Sequence, residues 1–152
     1  NSDNNIEAYR DSLHKLIDLD YFLPPWGGGA SQYLLCKAVR ESKKKVLIGG
    51  DGVDEILLSY SWDKSALTDQ SLTPSKITKI FASTNTLNLD KDEEERLSNL
   101  PPYQQKQILL MIKNLSFLSN VTLYNSDIYS MAASIELRSP FLNLDVFKSL
   151  IM

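Results

Sequence analysis

VLIGGDGVDEILLSY, residues 46–60, begins as an apolar run, breaks into a glycine-rich acidic turn and resumes with helical periodicity. Val46, Leu47 and Ile48 fit a short buried strand. Gly49, Gly50 and Gly52 permit a tight turn with close ligand approach, and Asp51, Asp54 and Glu55 cluster where the next helix begins. A strand that delivers carboxylates and backbone N–H groups to one turn has the make-up of a phosphate and metal site. The chemistry it points to is magnesium-assisted handling of a nucleotide or pyrophosphate. The same residues also have an architectural reading, in which the glycines shape the turn, Asp51 caps the helix, and Asp54 with Glu55 complements its dipole. One carboxylate suffices as a cap, and three close together repel unless a cation is near.

Upstream, Ser31 caps a helix carrying Leu34, Leu35, Ala38 and Val39, whose lysine-rich end, Lys43-Lys44-Lys45, suits the negative pole of its dipole. Helix, strand and a second helix from about Val53 make one αβα unit of a parallel sheet, with the acidic turn at the strand's carboxyl end. Ile6, Tyr9, Leu13, Leu16 and Ile17 recur at helical spacing and predict an amphipathic helix from about Asn4 to Leu19. Between these helices, Phe22-Leu23-Pro24-Pro25-Trp26-Gly27-Gly28-Gly29 reads as a rigid entry followed by a turn or linker. Trp26 is placed to line a site. The glycine triplet is not followed by Lys-Ser/Thr, which argues against a phosphate loop.

Downstream, residues 61–99 are polar with short helical pieces. Thr73-Pro74 starts one that buries Ile77, Ile80 and Phe81, and Asp90 caps another that ends near Leu97, its DKDEEER run being a solvated start. Pro101-Pro102 initiates the strongest helix, with Ile108, Met111, Ile112, Leu115 and Leu118 on one face and Leu109 and Leu110 widening the stripe.

The chain of 152 residues has 43% hydrophobic content, enough for one compact domain, residues 1–152. A net charge of -3 leaves no basic footprint for nucleic acid or an anionic membrane. Cys36, the single cysteine, rules out an intramolecular disulfide and fits a reducing compartment, a small core residue being its simplest role. No apolar run reaches the length of a membrane span and NSDNN is not a signal peptide, so a cytoplasmic location is expected. His14 has no second histidine nearby to make a zinc site.

A second segment, SDIYSMAASIELRSPFLNL at Ser126 to Leu144, completes the pattern. Together the two segments resemble the synthetase domain of the glutamine-dependent asparagine synthetase family. That family has a strand ending in SGDGGDE or SGEGSDE, then FGGY, and later DRMSMAxSLEVRxPFLD. Here these stand as GGDGVDE, LLSY and DIYSMAASIELRSPFLN, in the same order. The resemblance covers roughly Phe22 to Leu150. It implies an α/β, predominantly helical fragment of an ATP pyrophosphatase fold, of the adenine-nucleotide alpha-hydrolase type, with one or few parallel strands. The implied activity is an ATP-dependent amide-forming ligase: a small-molecule or peptide carboxylate is adenylated with Mg-ATP, and ammonia or an amine then attacks. By position, Asp54 matches the metal-binding aspartate, Asp51 the acidic residue beside the adenylated intermediate, and Gly49, Gly50 and Gly52 the surrounding nucleotide-binding loop.

The departures are equally specific. Ile128 stands after Asp127 where the family carries a cation able to neutralise pyrophosphate. Gly49 replaces serine, Val53 replaces Gly or Ser, and Leu57-Leu58 replaces part of FGG. Neither an SGGxDS phosphate loop nor a glutaminase domain with its amino-terminal cysteine occurs. The expectation is therefore the C-terminal portion of a synthetase domain, inactive alone, prone to self-association or to pairing with an N-terminal half. The alternative is a catalytically degenerate homologue that serves as a binding or scaffold module. Glu136 and Arg138 read as a buried ion pair orienting the second segment, with reach to the nucleotide as the other option.

Overall fold

The computed structural model describes residues 2–18, 28–83 and 89–151. Helices α1 (Ser2–Asp18) and α2 (Gly28–Glu41) lead to strand β1 (Val46–Ile48). Helices α3 (Val53–Leu57), α4 (Ser61–Thr68), α5 (Pro74–Ser83), α6 (Lys91–Ser98) and α7 (Pro102–Phe117) follow. A π-helical turn (Leu118–Thr122) joins α7 to α8 (Leu123–Ala132), then come strand β2 (Glu136–Arg138), a 3₁₀ turn (Pro140–Leu142) and α9 (Leu144–Ile151). The described chain is thus predominantly helical, with one two-stranded parallel sheet. It divides into two compact units, residues 1–50 with 121–140 and residues 51–120 with 141–152.

In the first unit, β1 and β2 run parallel in the register Val46 to Glu136, Leu47 to Leu137 and Ile48 to Arg138. The ladder extends past both ends, since Glu136 N–H donates to Lys45 O and Gly49 N–H to Arg138 O, each at 2.8 Å. Helix α2 packs on α1 and α8, and Leu16, Tyr33 and Tyr129 form the core with Ile128, Ala132 and Ala133 against them. The strand itself is not the buried one its composition predicts. Val46 and Ile48 share one face by the period of two and both are exposed, Ile48 by 70%, while Leu47 alone is half-buried. In α1 only Leu16 of the apolar stripe is fully covered, and Ile6 and Ile17 are exposed.

Ser31 is not a cap. Helix α2 begins at Gly28, so Gly28 and Gly29 are helical rather than part of a turn. Gly29 has a tertiary role. A Cβ at Gly29 would stand 2.8 Å from Tyr129 Cε2, inside a ring that is 1% exposed and has nowhere to go. Glycine therefore serves the α2–α8 contact. Gly29→Ala gains about 1 kcal/mol of helix propensity, but overpacking of this kind costs about 1–3 kcal/mol. A net loss of about 1 kcal/mol in urea unfolding is expected, and a stabilised variant would contradict the close packing. The segment Phe22 to Gly27, Trp26 included, lies outside the described residues, as does the predicted helix end at Leu19.

The second unit is built on α7. Its core is Leu58, Ile77, Phe81, Leu109 and Leu110, with α3, α4 and α5 packed on α7 and α9 on α3. Helix α6 starts as predicted: Asp90 accepts from Glu93 N–H at 2.8 Å, and the Glu93 carboxylate accepts from Asp90 N–H at 2.9 Å. Ile80 departs from expectation and is exposed. The buried line of α7 is Lys106, Leu109, Leu110 and Asn114, continued by Leu118, while Ile108, Met111, Ile112 and Leu115 of the predicted face are only half-buried, so two polar residues stand on the buried side. Lys106 Nζ donates to Ala66 O at 3.2 Å and Asp69 O at 2.6 Å, which satisfies carbonyls at the end of α4. Among the described residues no helix is long and apolar enough to cross a membrane.

Candidate functional site

The acidic turn lies where the sequence places it, directly after β1. Gly49 is committed to the sheet through its N–H, so that group is not offered to a ligand. Gly50 is exposed, and a Cβ built on it meets nothing within 4 Å. Its backbone is open to close approach.

Past the turn, in the second unit, Gly52 is buried with φ 98°, a left-handed conformation that an L side chain resists. A Cβ there would lie 2.5 Å from Leu142 Cδ2. Gly52 is also the N-cap residue of α3, so the cap position carries no side chain. Asp51 is half-buried and is not the helix cap.

The three carboxylates do not converge. Glu55 points inward, 6% exposed, and accepts from Tyr60 Oη at 2.8 Å. The Tyr60 ring stacks on Trp62 with centroids 4.3 Å apart. Burial, and then the Glu55 carboxylate, push the Tyr60 phenol well above its usual range, so it stays a donor. Asp54, by contrast, is exposed. Its Oδ1 accepts from Ser59 Oγ, and its carbonyl accepts from the N–H groups of Leu58 and, at 3.1 Å, Ser59.

Among the described residues no group of three or more His, Cys, Asp or Glu side chains could hold a metal ion. This donor set fits one kind of magnesium site and not another. Asp51, Asp54 and Glu55 do not by themselves make a three-carboxylate cage. An ion that reaches one exposed carboxylate while keeping phosphate oxygens and waters as its other ligands suits Asp54. His14 and the Lys43-Lys44-Lys45 triplet are solvent-exposed, and Cys36 is a buried free thiol whose pKa is raised by burial.

The second segment falls on α8 and β2. Ser130 is fully buried and donates to Asp127 O at 3.0 Å. Glu136 and Arg138 do pair, Arg138 Nε to Glu136 Oε1 at 2.9 Å, but on an exposed strand face rather than buried. Strand alternation explains it, since residues two apart share a face. Ile128, at the position of the family's cation, packs on the Leu16, Tyr33 and Tyr129 core. Composition gave no warning of Ser59 or Tyr60. The usable signal was the replacement of a glycine pair by Leu58-Ser59.

Fold and site define a helix-dominated α/β protein whose short parallel strand opens into a glycine- and aspartate-bearing turn. Residues 28–150 match the family model for asparagine synthase. The chain belongs to the asparagine synthase family. No curated protein and no solved structure matches it at a significant level.

Proposed function

We propose that this chain supplies the pyrophosphate-handling turn of an ATP-dependent amide-forming ligase that adenylates a small-molecule or peptide carboxylate. Ammonia or an amine then takes the place of AMP. Magnesium on the polyphosphate would neutralise the charge that gathers on the leaving group. Asp54 is the residue assigned to it, through the carboxylate oxygen not engaged by Ser59. Gly50 lets the backbone approach the phosphates, Gly49 and Gly52 shape the turn, and Asp51 is placed to orient the activated carboxylate. The observation that carries this reading is the exposed Asp54 side chain, held by the Ser59 hydroxyl, on a residue whose main-chain carbonyl accepts from two backbone N–H groups in a family-matched turn. The net charge of -3 gives no support to a nucleic-acid partner, and a free thiol at Cys36 suits the cytoplasm. Isothermal titration with pyrophosphate and with ATP tests it: saturable heat in the presence of Mg²⁺, lost in EDTA, is expected. Titrations flat in both conditions would defeat it.

One observation favours a second reading, a catalytically silent module that keeps the fold for binding. Ile128 packs in the core of the first unit, so the position lacks a charge and is built into apolar structure. Removing a group that stabilises transition-state charge costs several kcal/mol. Nucleotide binding without ATP–pyrophosphate exchange would be its signature.

A further inference from the structure

Ser59 stands where the resembling family has glycine, and glycine has no hydroxyl to offer. In this chain Leu58 adopts the left-handed conformation at φ 51° and ψ 45°. A leucine accepts that cost only if its side chain is held, and Leu58 is 7% exposed in the core with Ile77, Phe81, Leu109 and Leu110. The anchored reversal brings Ser59 back over the start of α3. There its N–H donates to Asp54 O at 3.1 Å and its hydroxyl donates to Asp54 Oδ1.

We infer that Ser59 is a positioning residue for Asp54: its hydroxyl fixes the rotation of an exposed carboxylate and leaves Oδ2 turned out toward a cation. The inference rests on the reading of Asp54 as the magnesium ligand. A solvent-exposed aspartate otherwise samples several rotamers, and an ion bound by one protein ligand needs that ligand preset. Hydrogen bonds to a metal ligand from a neighbouring side chain typically account for about 10–100-fold in metal affinity. The backbone N–H of Ser59 holds the turn whatever the side chain, so the hydroxyl has orientation as its separate task.

The test is Mn²⁺ binding by the full chain in the presence of pyrophosphate, read by water-proton relaxation, with thermal unfolding measured alongside. Ser59→Ala is expected to weaken Mn²⁺ binding about tenfold with an unchanged unfolding midpoint. Ser59→Thr, which keeps the hydroxyl, is expected to bind nearly as the native chain does. Asp54→Asn should remove the binding. Native-like or tighter affinity in Ser59→Ala overturns the inference, as does a Ser59→Thr that folds normally yet binds no better than the alanine variant. Those results leave Asp54 as the ligand if Asp54→Asn still abolishes binding. Absence of binding in the native chain, or native affinity in Asp54→Asn, takes down the reading of Asp54 itself and this inference with it.

Discussion

Gly52→Ala is expected to lower the unfolding free energy by about 3 kcal/mol, whereas Gly50→Ala, two residues earlier, should change it by less than about 0.5 kcal/mol. The two glycines look alike in the sequence and differ in what surrounds them. At Gly52 the backbone sits at φ 98°, where an L residue costs about 1–2 kcal/mol before any contact is considered. The new methyl group would also stand 2.5 Å from Leu142 Cδ2 and 3.3 Å from Leu142 Cγ. Leu142 is 38% exposed and can turn part of the way, which puts this second cost at the low end of about 1–3 kcal/mol for overpacking. At Gly50 the same methyl group meets open space. Urea unfolding measures both. Titration with magnesium pyrophosphate adds the functional contrast: Gly50→Ala should weaken binding while leaving stability intact, because its Cβ would occupy the space a phosphate needs. Equal stability of the two variants would mean that the left-handed turn does not exist. Undiminished binding in Gly50→Ala would remove Gly50 from the ligand-facing loop.

What could be read in advance follows the range of the interactions involved. The position of strand β1, the start of α7 at its prolines, and the Asp90 cap of α6 depend on neighbours within four residues and stand as predicted; the reciprocal bond from Glu93 was not read in advance. Ser31 is not a cap because α2 extends back through Gly29, whose missing side chain makes room for the Tyr129 ring about a hundred positions away, a contact that local pattern does not show. The exposure of Val46 and Ile48 depends on what covers a sheet face, which alternation alone does not state. At the site, sequence placed Asp51 and Asp54 in one turn and clustered Glu55 with them, though it assigned site roles to the two aspartates alone. A single hydrogen bond from Tyr60, five residues on, turns Glu55 into the interior and leaves two carboxylates rather than three. Polar residues in the α7 stripe were hidden for the same reason. Lys106 and Asn114 find partners only on and after α4, some 40–50 positions earlier.

Asn114→Ala is expected to be the most damaging single truncation in that stripe, costing about 3 kcal/mol at neutral pH, and its cost should grow with pH. Asp63 on α4 is fully buried, accepts from Asn114 Nδ2 at 2.8 Å through Oδ2, and has no hydrogen-bond partner for Oδ1 among the described residues. Burial raises its pKa above the carboxylate value of 3.8, with the Asn114 hydrogen bond and the Lys113 charge opposing and the Glu55 charge adding to the rise. An acid whose pKa is higher in the folded state binds protons more tightly there than in the unfolded chain. Its stabilising contribution is therefore complete below pH 3.8 and is lost as pH rises through the folded value. Removing Asn114 takes away the donor that favours the ionised form, raises the folded pKa further and carries the loss to higher pH. It also leaves a buried carboxyl group without its one hydrogen bond, a penalty of about 1–3 kcal/mol, in addition to the space vacated by the amide. Asp63→Asn should do the opposite to the pH profile. It removes the titrating group while keeping an oxygen that can accept from Asn114, so stability becomes flatter between pH 4 and pH 7 and exceeds the native value at the upper end. Guanidinium unfolding of the three proteins across that range decides it. Parallel pH profiles for the native chain and Asp63→Asn would show that Asp63 is not the buried, proton-retaining group that this arrangement requires.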